Sequence, residues 1–274
     1  MTPRTALTIA GSDSGGGAGI QADLRTFFAC GVHGMTAVTA VTVQNSVGVS
    51  GFTEIPAEVV AAQIESVAGD IGVHAAKTGM LANAEIIEAV GHACDRVGIG
   101  RGAATPLVVD PVAASMHGDP LLQDKALEAL RDNLFPRASL VTPNLDEVRL
   151  LVGVNVRRRE ELADAALAIH ALGPQWTLIK SGHLSADSEC VDLLYDGESF
   201  TELPGPRYDT PNTHGGGDTM AAAITAALAR GAIVPDAVRF GKHFVSESVR
   251  HAYPLGSGVG PVSPFWRLPA EGDR

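Results

Sequence analysis

The stretch "ALTIAGSDSGGGAGI", Ala6 to Ile20, joins an apolar run of strand length to a glycine-rich turn that opens a helix. Strand, turn and helix make the first half of a βα unit, so the reading of this turn decides which α/β fold follows. Two common nucleotide folds fail on it. The dinucleotide pattern G-x-G-x-x-G, counted from Gly15, meets Ile20 at its sixth position, and no other start in the loop satisfies it. No glycine run is followed by Lys-Ser or Lys-Thr, so the chain has no P-loop either.

Outward from that turn the same rhythm repeats. "TAVTAVTVQ" (Thr36 to Gln44), "HAAKTG" (His74 to Gly79), "PLVVDP" (Pro106 to Pro111), "SLVTPN" (Ser139 to Asn144) and "WTLIKSG" (Trp176 to Gly182) read as buried strands. Between them, "AEVVAAQIESVAGDI", "NAEIIEAVGHACDRVG" and "REELADAALAIHALG" return apolar residues every three or four positions, the helical period. The alternation implies α/β architecture, with a mainly parallel sheet covered by helices on both faces. After Gly182, "ECVDLLYDGESFTELPG" reads as a hairpin around Asp196-Gly197. Two helices, Asp218 to Arg230 and Pro235 to Ala252, are expected to close the chain. In open sheets of this kind ligands bind outside the carboxyl ends of the strands. Here those ends read "GSDSGGGAG", "QNS", "KTGM", "DPV", "TPNLDE" and "KSGH", polar or glycine-rich in every case, which points to one shared site.

Composition narrows the class. The chain has 274 residues, 45% of them hydrophobic and 19% charged, with no linker, repeat or low-complexity tract, so one domain over residues 1–274 is expected, with 266–274 as a loose tail. A formal net charge of -11 argues against nucleic-acid or membrane binding. The one dense basic run, "VRRREE", Val156 to Glu161, reads as a solvated helix start. Cys30, Cys94 and Cys190 are too sparse for a disulfide framework or a zinc site and fit a reducing cytoplasm. "ALTIA" is too short for a signal peptide or a membrane span.

A second glycine run, "NTHGGGDTMAAAITAALARG" from Asn212 to Gly231, sets Asp218 before an Ala-rich helix. Asp218 reads as an N-cap, or as a base beside an anion-binding nest made by the amides of Gly215, Gly216 and Gly217. In "TPNLDE", Asn144 and Glu147 share one face of a first helical turn, either as hard oxygen ligands for magnesium or as a capping box. Gln44 closes its strand with an amide that can both donate and accept a hydrogen bond.

With these motifs in order, "ALTIAGSDSGGGAGIQADL", "VQN", "AAKTGML", "VVDPV", "GDPLL", "VTPNLDE", "KSGH" and "NTHGGGDT", the chain resembles the ribokinase-like kinases. Within them it is similar to the hydroxymethylpyrimidine/phosphomethylpyrimidine kinases of thiamine biosynthesis, over nearly its whole length. The resemblance implies a three-layer α/β/α kinase, commonly a homodimer, that uses ATP and Mg2+. Carried over, it implies that Gln44 and Asp23 hold the pyrimidine with Gly11 and Met80 beside it. It implies that Asp110, Asn144 and Glu147 serve the magnesium-phosphate region, Asp110 and Glu147 as the metal ligands and Asn144 toward the nucleotide. It further implies that Lys180 and Gly182 lie by the nucleotide, that Gly215 to Gly217 form the anion hole, and that Asp218 acts as base.

Two departures from the family pattern stand out. "HGGGD" replaces the usual "HGTGC", putting Asp218 where cysteine is common, and "SMHGD" replaces "AKSGD", putting Met116 where lysine is common. Two alternatives therefore stay open, a pyridoxal or other small-alcohol kinase and a catalytically silent binding protein. His214 and His183 flank the site loops and are expected to be structural or exposed.

Overall fold

Alternating apolar strands produce a sheet with two greasy faces, and the chain covers both. In the computed structural model, which describes residues 2–113, 122–182, 184 and 189–268, β1 (Thr5–Ser12) leads through the glycine turn into α1 (Gly19–Ala29) and β2 (His33–Gln44). There follow β3 (Val49–Glu54), α2 (Ala57–Asp70), β4 (Ala75–Thr78), α3 (Ala84–Val97), β5 (Leu107–Val109) and α4 (Asp124–Ala129). The second half comprises β6 (Leu140–Val141), α5 (Leu145–Val152), α6 (Leu162–His170), β7 (Trp176–Ile179), β8 (Asp192–Tyr195), β9 (Phe200–Leu203), α7 (Gly216–Ala229) and α8 (Val234–Arg250).

The nine strands form one sheet in the order β3-β2-β1-β4-β5-β6-β7-β8-β9. The six from β2 to β7 in that order pair in parallel, and only β3, β8 and β9 run antiparallel to their neighbours. Successive residues of a strand face opposite sides. Accordingly Leu7, Ala76, Val109, Val141 and Ile179 pack under α2 to α6. Their neighbours Ala6, Ala75, Val108, Leu140 and Leu178 pack under α1, α7 and α8. This is a three-layer α/β/α sandwich, the architecture the resemblance implies.

Helix ends follow local chemistry. Asn83 caps α3 through Ile86 N and Gly98 ends it in the left-handed region; Pro235 sits in the first turn of α8, where its missing N–H costs nothing. The basic run "VRRREE" ends in a 3₁₀ turn, Arg159–Glu161, ahead of α6.

Several expectations shift. Helix α7 starts two residues before Asp218, because Gly215 at φ 74° is the cap. Helix α8 spans Val234–Arg250 and not Pro235 to Ala252. Strand β3 was not expected, since almost all of it is exposed and no alternation marks it. Helix α4 and the turns Leu130–Leu134 and Phe135–Arg137 that continue it also went unread. Trp266, expected in a loose tail, lies in a 3₁₀ turn, donates to Ser248 Oγ at 3.1 Å and meets Phe244 at 5.3 Å between ring centroids. Residues 269–274 lie outside the described residues, as do Met116, His117 and His183.

Candidate active site

Six adjacent parallel strands bring six carboxyl ends to one edge of the sheet. That edge carries Gly11 at the end of β1 and Asp13 just after it, Gln44 closing β2, Gly79 and Met80 after β4, Asp110 after β5, Asn144 and Glu147 after β6, and Lys180 after β7. Helix α7, buried from Thr219 to Ala229, drives its N-terminus into the same edge.

At that N-terminus the chain needs glycine for two distinct reasons. Gly215 has φ 74°, and a methyl group there would lie 1.9 Å from the Gly17 carbonyl oxygen, so the two glycine loops touch through it. A methyl on Gly217 would lie 3.3 Å from Lys180 Nζ and 3.7 Å from Asp110 Oδ2, so a side chain would crowd the charges. The first amides of a helix have no partner inside it. Gly216 N donates to Thr213 O at 3.1 Å, whereas the Gly217 and Asp218 amides have no hydrogen-bond partner among the described residues. Asp218 is the third residue of α7, half-buried, makes no cap bond, and its carboxylate accepts no hydrogen bond among the described residues. The N-cap reading of Asp218 is therefore excluded.

Beside this opening lies a group of buried charges. Lys180 Nζ bonds Asp110 Oδ1 at 2.8 Å, and Thr142 Oγ1 donates to the same oxygen at 3.1 Å. Lys180 is thus not a surface lysine. Burial works to discharge its ammonium, but Asp110, Glu147 and Asp218 outweigh burial and raise its pKa above the ordinary value. Asn144 and Glu147 form the capping box: Asn144 Oδ1 accepts from Glu147 N at 2.9 Å and Glu147 Oε2 from Asn144 N at 2.8 Å. Glu147 Oε1 also accepts from Ala113 N at 3.3 Å. Burial pushes the Glu147 carboxyl up to about 7, with Asp110 adding to the rise and Lys180 and the two amides opposing it.

Among the described residues no cluster of three or more His, Cys, Asp or Glu could hold a metal by itself. The pair Asp110 and Glu147 still suits Mg2+, which takes one or two carboxylates and completes its shell with water and phosphate oxygens. Asn144 is occupied as a cap.

Asp23, expected against a ligand ring, is fully buried. Its Oδ2 accepts from Thr8 Oγ1 at 2.6 Å and its Oδ1 from Lys77 Nζ at 2.7 Å, so both oxygens are engaged inside the protein.

The N-terminal glycine loop is closed on itself. Asp13 accepts from Gly15 N at 2.8 Å, Gly17 N at 2.9 Å and Ala18 N at 2.8 Å, and His214 Nε2 lies 3.1 Å from its Oδ2. Burial opposes the charge on Asp13, but the His214 bond and these amides outweigh it and hold the carboxyl below its ordinary pKa. Through this contact His214, at the head of the second glycine loop, ties the two glycine loops together. Gln44 is half-buried at the end of β2, its amide between Thr42 Oγ1 at 3.1 Å and His214 Nε2 at 3.5 Å. Met80 Sδ would lie 3.5 Å from a methyl on Gly11, so the two share one corner. The Gly182 carbonyl accepts from Arg207 at 3.0 Å.

Sequence reasoning missed Lys77, Asp13 and the Asp192–Lys242 pair. Lys242 Nζ bonds Asp192 Oδ2 at 2.7 Å and Asp192 Oδ1 accepts from Ser181 N at 2.8 Å, which braces the loop after Lys180. For Lys77 a signal was present: a lysine inside a short strand whose neighbours are all apolar or small.

Residues 13–263 match the family model described as phosphomethylpyrimidine kinase. The hydroxymethylpyrimidine/phosphomethylpyrimidine kinase of Mycobacterium leprae is 60% identical over 270 residues, covering 97% of this chain and 95% of that one. Among solved structures, a Bacillus subtilis pyridoxal kinase in complex with ADP superposes with a TM-score of 0.88 at 38% identity, covering 98% of this chain and all of that one. A phosphomethylpyrimidine kinase from Clostridium difficile 630 gives 0.78 at 36% identity, covering 90% and 99%.

Proposed function

The chain belongs to the phosphomethylpyrimidine kinase family, and from that membership we infer how its own residues carry the reaction. It is a phosphotransferase, a hydroxymethylpyrimidine and phosphomethylpyrimidine kinase of thiamine biosynthesis, with ATP as co-substrate. We propose that Asp218 takes the proton of the acceptor hydroxyl as its oxygen bonds the γ-phosphorus and the bond from that phosphorus to the β,γ-bridging oxygen breaks, leaving ADP. The observation that carries this reading is an unpartnered carboxylate at the third position of α7, beside the unpartnered amides of Gly217 and Asp218.

Phosphoryl transfer asks the protein mainly for position and charge neutralisation. The open amides of Gly217 and Asp218 and the positive end of α7 would receive the charge of the transferring group, while Gly215 and Gly216, the latter with its amide taken by Thr213, shape the turn. Lys180 would face the nucleotide phosphates, with Gly182 on the same loop and Asn144 holding the turn beneath. Asp110 and Glu147 are the residues that would hold Mg2+, which supplies charge neutralisation on phosphate oxygens. Gln44, with Gly11 and Met80, would hold the aminopyrimidine ring. Asp23, fully buried with both oxygens bonded to Thr8 and Lys77, is left out of the ring's contacts.

We treat residues 1–274 as a single kinase domain working in the cytoplasm as a homodimer. The three free cysteines support a reducing compartment, and no helix among the described residues is long and apolar enough to cross a membrane. The outward side chains of the β2–β3 edge, Val41, Val43, Val47, Val49 and Phe52, are all 46% exposed or more, which supports a covered edge.

ATP consumption with hydroxymethylpyrimidine, its monophosphate, pyridoxal and no acceptor tests the reading. Both pyrimidines should be turned over, with pyridoxal the poorer acceptor. Preference for pyridoxal would favour the second reading, which the superposition on a pyridoxal kinase and Asp218 in place of cysteine recommend. Consumption that no acceptor stimulates would sink both.

A further inference from the structure

Lys77 is a buried ammonium that the scheme above leaves without a task. It stands in β4 between Ala76 and Thr78, and both it and Asp23 are fully buried. A charge at such a position is retained when it is paired and fixed, and Lys77 is fixed from three directions. Its strand register sets it opposite Thr8 on β1 and Val108 on β5. Thr8 in turn donates to Asp23 on α1, the carboxylate that Lys77 grips at 2.7 Å. The triad of Thr8, Lys77 and Asp23 therefore spans two paired strands and a helix that packs on them.

A purely structural ion pair would be complete at that point. Yet the ammonium has three donors, and Asp23 is its one hydrogen-bond partner among the described residues. On its other side lies the reaction edge: a methyl placed on Gly79 would be 3.7 Å from Lys77 Nζ and 4.0 Å from Asp218 Oδ1. Asp218 and Asp110 are both close enough, with Asp23, to raise the Lys77 ammonium pKa above its ordinary value against the pull of burial. Lys180, the half-buried lysine at this edge, also feels Asp218, but the carboxylate it bonds is Asp110, on the side where the Gly217 and Asp218 amides open.

We propose that Lys77 is the positioning residue of Asp218, and that Asp23 serves the reaction by anchoring Lys77. The ammonium is fully buried, so it would act on the carboxylate from within the protein without touching substrate. It also offsets the repulsion between that carboxylate and phosphate oxygens. This inference rests on the reading of Asp218 as base, and it assigns Asp23 a task different from holding the ring.

The test is steady-state kinetics with hydroxymethylpyrimidine and ATP on wild type, Asp218→Asn, Lys77→Met, Asp23→Asn, the charge-free pair Asp23→Asn/Lys77→Met, and Lys77→Met/Asp218→Asn. Lys77→Met should lower kcat about 100-fold with both KM values within about threefold, the mark of an interaction used in the transition state. The charge-free pair should melt near wild type and keep the kcat loss, which a structural ion pair would not. Adding Lys77→Met to Asp218→Asn should cost almost nothing further, because a residue acting through another is not additive with it. Asp23→Asn should lower kcat and leave the acceptor KM unchanged.

Recovered kcat in the charge-free pair, additive losses with Asp218→Asn, or an effect of Asp23→Asn on acceptor KM alone would each overturn the proposal. If Lys77→Met fails to fold, the charge-free pair, alone and combined with Asp218→Asn, carries the same comparison. Should wild type turn over while Asp218→Asn remains within a few-fold of it, the base assignment fails first, independently of Lys77.

Discussion

Two glycine-rich loops meet at the edge of the sheet, and they are in opposite states. The loop from Gly11 to Gly19 is filled from within: the Asp13 carboxylate takes the amides of Gly15, Gly17 and Ala18, and His214 closes its remaining side. The loop from Gly215 to Gly217 leaves the amides of Gly217 and Asp218 open, and no side chain among the described residues caps α7. A nest occupied by its own carboxylate is a structural element; a nest that opens beside an unpartnered carboxylate, the buried Lys77 and the half-buried Lys180 is suited to receive an anion. Glycine content does not separate the two loops. The fate of their amides does.

The sharpest way to break this contrast is Asp218→Asn. If the open loop is the chemical one, kcat should fall about 100- to 10,000-fold, the usual reach of a general base. ATP affinity and melting temperature should stay near wild type, because Asp218 caps nothing. Turnover within a few-fold of wild type would make the open loop no more catalytic than the closed one.

Asp13→Ala probes the other side. Three amides and His214 would lose a charged acceptor, and hydrogen bonds to charged groups contribute about 1.5 to 3 kcal/mol each, net of their exchange with water. Gly15 is exposed and Ala18 half-buried, so water takes over part of the loop in the variant, and thermal unfolding should show a loss of roughly 3 kcal/mol. Asp218→Asn should show none. A variant that melts like wild type would mean that Asp13 does not hold the loop closed.

These tests bear on what the sequence could disclose. The strand ends were legible because apolar runs break abruptly at "DPV", "TPN" and "KSG", and a parallel sheet gathers such breaks on one edge. Asp218 was legible as a carboxylate beside glycines, but not its place in the helix, since the left-handed conformation of Gly215 moves the helix start two residues earlier. Long-range pairings left no mark at all. Lys77 and Asp23 are 54 residues apart and His214 and Asp13 are 201 apart, and no local pattern announces either pair. Strand β3 was silent for a different reason: with hardly any buried residue it has no alternation to read.

Gln44 lies between the loops, bonded through its backbone to Ser14 of the closed one and near His214 at the start of the open one. Gln44→Leu should raise the aminopyrimidine KM roughly tenfold or more, the effect of leaving a buried donor-acceptor pair unmet. The KM for ATP should hardly move. Equal shifts in both would assign Gln44 to loop structure and not to the ring.

The smallest effect separates two buried acids, and it is readable in pH. Asp13 is held below its ordinary pKa by His214 and the loop amides once these overcome burial. Its stabilisation is present at neutral pH and is lost only in strong acid, as pH falls through that lowered value. Glu147 is the reverse case, because burial carries it from 4.5 to about 7. Between those values the folded chain binds a proton that the unfolded chain has released, so stability from this group is full below about 4.5 and declines as pH rises through about 7. In metal-free protein, wild type should therefore lose stability relative to Glu147→Gln from pH 5 to pH 8, with a slope of up to about 1.4 kcal/mol per pH unit. The substitution also gives up one of the amides that Glu147 accepts, since a Gln amide nitrogen cannot accept, but that loss is constant across pH and leaves the slope intact. Added Mg2+ should flatten the wild-type curve at the alkaline end, because a cation held by Asp110 and Glu147 favours the ionised carboxylate. Parallel wild-type and variant curves in metal-free buffer would remove Glu147 from the set of groups that titrate near neutrality. A slope that Mg2+ leaves untouched would remove it from the metal site while keeping it as a cap.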